Sequence, residues 1–123
     1  MRKMVVTLSV MLLTGCTVRT PAVMRQDCRH SYSVAVKGDW QQVYGNIAGA
    51  MIRIGWGEEV AIHQESHPEM KSASAWAYLP NRRDPIGFIV DVEDAGEGQA
   101  RVTVYAESSY YARKSREWLG LGE

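Results

Sequence analysis

The chain has 123 residues, with 14 Lys and Arg against 14 Asp and Glu for a formal net charge of +0; 46% of it is hydrophobic and 23% charged. That length suits one domain, and the composition is that of an ordinary globular protein rather than a disordered or fibrous one. A balanced charge excludes general attraction to nucleic acid, which needs a clear excess of Lys and Arg, and two cysteines in such a chain suggest a single disulfide.

The first segment reads as an address. Arg2 and Lys3 precede an apolar run over residues 4–13, the layout of a secretory signal peptide. The run is too short to span a bilayer, which needs about 20 residues. It ends in Leu13-Thr14-Gly15-Cys16. This box resembles the lipobox of bacterial lipoproteins, in which a branched apolar residue and two small residues precede a Cys, and all four positions match. The resemblance covers residues 1–16. It implies that residues 1–15 are removed, that the Cys16 sulfur carries a diacylglycerol, and that the new amino group is acylated. Two or more buried acyl chains anchor a protein stably where one does not. Thr17, standing where an Asp retains such proteins at the inner membrane of enteric-type bacteria, implies the outer membrane, on its periplasmic face. The competing reading, a buried N-terminal helix with Cys16 in a core, sits poorly with a run that is apolar on every side.

Cleavage revises the opening arithmetic. The mature chain has 108 residues and, without Arg2 and Lys3, 12 basic against 14 acidic side chains, a charge of −2. Cys16 is consumed by the lipid, so Cys28 has no partner in its own chain. An oxidising periplasm offers Cys28 an intermolecular disulfide; the plainer reading is a free or packed thiol.

Residues 16–30 form the lipidated Cys and a tether. They show no sustained period and contain Pro21 and three Arg. Fully extended, the tether reaches at most about 45–50 Å. A single domain follows over residues 31–119, with a tail at 120–123. Residues 31–36 alternate, with Tyr32, Val34 and Val36 facing one way, and read as a first strand. Asp39 is a candidate N-cap. A helix over 40–54 carries Trp40, Val43, Tyr44, Ile47, Met51 and Ile54 as one stripe. Gly45 and Gly49 weaken it and point to close packing on a sheet, and Gly55 stops it.

Four strand-like runs follow. Residues 58–64 place Val60 and Ile62 on one face. Residues 71–79 set Ala73, Ala75, Ala77 and Leu79 against Trp76 and Tyr78. Residues 86–92 align Ile86, Phe88, Val90 and Val92. Residues 99–107 oppose Ala100, Val102, Val104 and Ala106 to Arg101, Thr103 and Tyr105. Residues 80–85 are a polar turn, and residues 94–98 a hairpin loop. Ser108 or Ser109 caps a last helix with Tyr111, Ser115, Trp118 and Leu119 on one side. The expectation is an α+β fold of order βαββββα: an antiparallel sheet of four to five strands, one amphipathic helix on a face, and a short C-terminal helix. In layout alone it is similar to small uncharacterised envelope lipoproteins.

The candidate sites are few. His63 and His67 invite a metal reading, but five residues of strand would hold them about 13 Å apart, so no metal site is expected. Arg113, Lys114 and Arg116 lie among Tyr110, Tyr111 and Trp118. Such a mixture suits anionic headgroups or acidic envelope polymers, although cations near a helix C-terminus also simply complement its dipole. Arg82 and Arg83 beside Asp84 read as a solvated loop. Trp76, Tyr78 and Tyr105 share the face opposite the alanines and valines. Left uncovered they would form a partner-binding strip; covered by the tether or the last helix they would be a second core layer.

The sequence contains no Gly-x-Ser-x-Gly, phosphate-loop or Gly-x-Gly-x-x-Gly pattern. The expectation is therefore a non-catalytic lipoprotein without a cofactor, serving as a protein-interaction or structural module of the envelope. The alternative is a binding or inhibitory module for peptidoglycan, lipid or a lytic enzyme. A metal-dependent hydrolase is the weakest reading.

Overall fold

The computed structural model describes residues 20–27, 29–54, 61–78 and 86–122. Alternation of Ala and Val with polar residues builds its centre. Strands β3 (Ser72–Tyr78), β4 (Ile86–Gly96) and β5 (Gln99–Ala106) pair antiparallel, with β1 (His30–Lys37) on the outer edge of β5 and β2 (Ala61–His67) on the outer edge of β3. The sheet order is β1-β5-β4-β3-β2. The β4–β5 hairpin turns tightly through Glu97 and Gly98, both at positive φ, the backbone twist that matches two antiparallel strands. Asp94 and Gly96 belong to the ladder and not to the expected loop.

Helix α2 (Trp40–Arg53) begins at Asp39, whose carboxylate accepts from the Gln41 backbone N–H at 3.1 Å. Its stripe of Trp40, Val43, Ile47 and Met51 packs on Ala73, Ala75, Val90, Val92, Val102 and Val104, all buried. Helix α3 (Ser109–Trp118) covers the same face nearer β1. Ser108 caps it by accepting from the Tyr111 N–H at 3.3 Å, and Tyr111, Ser115, Trp118 and Leu119 point inward as expected. Gly45 has nothing within 4 Å of where a Cβ would stand, and Gly49 meets only the Arg53 side chain. Neither is a point of close approach to the sheet.

Two further expectations are corrected. The first is the tether: Pro21–Asp27 is a helix, α1, lying on the sheet face opposite α2. Thr20 caps it by accepting from the Val23 N–H at 3.2 Å, and Pro21 takes the first helical position, where its missing N–H costs nothing. Seven residues are too few for a helix to stand alone; Met24, 1% exposed against Trp76, Ile86 and Ile89, holds it.

The second is Ile86, which does not share the face of Phe88, Val90 and Val92. The register shifts between Trp76, paired with Ile89, and Tyr78, paired with Ile86. The extra β4 residue is a bulge that turns Ile86 to the opposite face. Gly87 sits in it, and a Cβ there would lie 3.2 Å from the Tyr111 ring. A side chain at this place has to displace the ring. Gly87→Ala is therefore expected to lower the unfolding free energy by about 1–3 kcal/mol. Gly45→Ala, in open space within a helix, is expected to raise it by up to about 1 kcal/mol. Urea denaturation of the two variants measures both signs.

Candidate functional site

The face that carries α1 is organised by register into three rows across the sheet. His63, Trp76, Ile89, Tyr105 and Ser31 stand side by side; next come Glu65, Ser74, Asp91, Thr103 and Ser33; then His67, Ser72, Glu93, Arg101 and Ala35. The first row is apolar at its centre and the other two are polar. Helix α1 straddles the first two rows. Met24 seats on the first, and Arg25 reaches the second.

Arg25 makes a fork on Asp91: its Nε donates to Oδ2 at 2.9 Å and its Nη2 to Oδ1 at 2.8 Å, with a further donation to Ser74 Oγ at 3.2 Å. The Ser74 hydroxyl donates in turn to Asp91 Oδ1 at 2.6 Å. The bond to Asp91 holds Arg25 more firmly in its charged form, against partial burial. The planar fork matches a carboxylate in both distance and direction, which a Lys does not. From the α2 side, Tyr44 donates its hydroxyl to the Ser74 carbonyl at 2.8 Å, so β3 is gripped from both faces at one residue.

Beside Arg25 lies an open cavity of about 300 Å³ lined by Glu65, His67, Ser72, Asp91 and Glu93 among others. Glu65 stands between two imidazoles, 3.3 Å from His63 Nε2 and 3.6 Å from His67 Nε2. Protonation of either ring turns its contact into an ion pair. His63 also stacks on Trp76, with ring centroids 4.3 Å apart. Among the described residues no group of three or more His, Cys, Asp or Glu is placed to hold a metal ion.

The aromatic residues expected to share one strip are separated by burial. Trp76 is 8% exposed, closed in by Met24, Ile86, Ile89 and His63. Tyr105 is half-buried against the same cluster, while Tyr78 is 46% exposed at the end of β3. This face is thus a small second core under α1, with Tyr78 at its margin.

The cations of α3 are engaged within the domain. The Arg116 guanidinium lies 4.1 Å from the Tyr32 ring centre, Arg113 lies 5.9 Å from that of Tyr110, and Lys114 Nζ is 3.8 Å from Glu117. Trp118 is half-buried near Phe88 and Tyr111. Beneath Arg116, the Tyr32 hydroxyl shares a 2.6 Å hydrogen bond with the buried Ser115. Cys16 and Cys28, like Arg82 and Arg83, lie outside the described residues.

Sequence reasoning passed over Arg25 and Met24. The available signal was Thr20-Pro21, a capping residue followed by the favoured first residue of a helix. Comparison with known proteins adds no relative: no family model, curated protein or solved structure matches the chain.

Asp91→Ala leaves the Arg25 charge half-buried and unpaired. It is expected to cost about 1 kcal/mol, between an exposed and a buried pair, with hydrogen exchange accelerated in residues 22–27 while α2 stays protected. Two partly buried tyrosines, Tyr32 and Tyr44, supply a pH test. Burial raises the phenol pKa of both Tyr32 and Tyr44, outweighing the opposing pull of Ser115 and Arg116 on Tyr32. The folded state then holds these protons more tightly than the unfolded chain. The stability so contributed is complete below about pH 10 and is lost as pH climbs through the raised values. Tyrosinate absorbance against pH is expected to show two late-ionising phenols, and Tyr32→Phe and Tyr44→Phe each to remove one.

Proposed function

We propose that this chain is a non-catalytic lipoprotein, anchored by the lipid on Cys16 to the periplasmic face of the outer membrane, whose single α+β domain engages another protein of the cell envelope. The observation that carries the reading is the lipobox Leu13-Thr14-Gly15-Cys16, preceded by a basic pair and an apolar run and followed within four residues by the first described residue of the domain. Thr17 favours the outer membrane by the sorting rule. Among the described residues no helix is long and apolar enough to cross a membrane, and attachment through Cys16 needs none.

A protein partner is preferred to peptidoglycan or lipid as the ligand of α3, because Arg113, Lys114 and Arg116 already have intramolecular partners and recruiting them elsewhere gives up those contacts. The absent catalytic motifs support a binding role over an enzymatic one.

The anchor is tested by fractionation and labelled palmitate. Label is expected in the wild-type chain and none in Cys16→Ala, which should leave the membrane fraction; equal labelling of the two defeats the anchor. The partner is tested by crosslinking in intact envelopes. One reproducible envelope protein, captured equally by the Arg113→Ala/Arg116→Ala variant, is the expected result. Loss of cell-wall or anionic-vesicle binding in that variant would instead favour the α3 ligand reading.

A further inference from the structure

Two features set how the domain can stand on a membrane: where α1 is docked, and how little chain lies before it. Both act only through the lipid proposed above for Cys16. From Cys16 to Thr20 the chain advances four residues, at most about 14 Å even when fully extended. Without α1 the same anchor would reach about 45–50 Å, as residues 16–30 do when extended. Docking of α1 by Met24 and by the Arg25 fork on Asp91 removes most of that reach.

The short leash leaves from one face only. Helix α1 lies on the second face of the sheet, and α2 and α3 lie on the other. Each helix layer sits about 10 Å from the sheet, so α1 and α3 are about 20 Å apart through the body of the domain. A leash of about 14 Å from the α1 side cannot bring the outer surface of α3 round to the lipid.

The geometry points to the α1-bearing face as a membrane-apposed surface, laid against the headgroups of the membrane that holds the Cys16 lipid, with α2 and α3 turned away from it. The chemistry of the uncovered flank fits headgroups and not the acyl interior. Ser31, Ser33 and Arg101 are exposed there, Thr103 is half-buried, and Ser33 and Thr103 share a 2.9 Å hydrogen bond. With Glu93, exposed beside Arg101 in the same row, these are short hydroxyls and one charge of each sign, with no large apolar side chain to insert. The exposed Tyr110 of α3 then faces the periplasm, on the side left open to a protein partner. Helix α1 is thus an orienting clamp: it sets which face the domain shows to its partner.

The test uses the full-length lipidated protein in vesicles of phosphatidylethanolamine and phosphatidylglycerol carrying a spin label on a headgroup. In a Cys28→Ser background, a fluorophore is placed at Ser33→Cys or at Arg113→Cys. Several-fold stronger quenching at position 33 than at 113 is expected. Two changes should bring the ratio close to one: Met24→Ala/Arg25→Ala, which frees α1, and a Gly/Ser insertion of about 20 residues after Arg19, which lengthens the leash and leaves α1 untouched. Equal quenching in the parent protein, stronger quenching at 113, or an unchanged ratio after the insertion overturns the clamp. Intact mass and vesicle flotation report the anchor separately. An unacylated Cys16 defeats the lipidation reading and the clamp together, whereas an acylated, floating, unoriented protein defeats the clamp alone.

Discussion

The inner face of β3, β4 and β5 is lined by Ala73, Ala75, Val90, Val92, Ala100, Val102, Val104 and Ala106, each 1% exposed or less. Such a face is unstable in water until something covers it, and the remaining architecture is arranged around that requirement. The small residues on β3 and the rim of β5 leave a shallow bed. Helix α2 lays Trp40, Val43, Ile47 and Met51 into it, and α3 closes the remainder with Leu119 beneath Trp118 and Tyr111. The Gly87 bulge belongs to the same requirement. It lets the Tyr111 ring press on the β4 backbone, and it releases Ile86 to the other side of the sheet.

That release creates the second face. Once Ile86 joins Ile89 and Trp76, an apolar cluster stands on a surface otherwise made of His, Ser, Asp, Glu and Arg. It is too small for a second long helix and too large to leave wet. A seven-residue helix with one buried Met is enough to cover it, and the Arg25–Asp91 fork supplies direction that apolar contact lacks. The segment that leads into β1 is therefore part of the domain.

The charged residues of α3 show how a suggestive composition can be absorbed by a fold. Arg116 over Tyr32, Arg113 over Tyr110 and Lys114 beside Glu117 satisfy the cations at short range. The same side chains in an unpartnered helix would present a basic stripe. Cation–aromatic contacts of this kind are worth about 0.5–1 kcal/mol at exposed sites, enough to set a side chain's resting place and small enough for a binding partner to compete.

Much of the fold was legible along the chain, because period-two alternation and helical stripes are local properties. The strands, the Asp39 and Ser108 caps, the α2 stripe and the inward side of α3 are all written in spacings of a few residues. The run Leu13-Thr14-Gly15-Cys16, on which the lipobox resemblance rests, is likewise contiguous, read as letters in order. What the letters could not give depends on residues far apart meeting. Arg25 and Asp91 are 66 residues apart, and neither is unusual in its own neighbourhood. The bulge that turns Ile86 arises from how β4 aligns with β3, a property of two strands and visible in neither. Whether Trp76 was a binding ring or a core ring waited on Met24, more than fifty residues earlier in the chain. Periodicity assigns a side chain to a face; only the packing of distant segments assigns that face to water, to a core or to a partner.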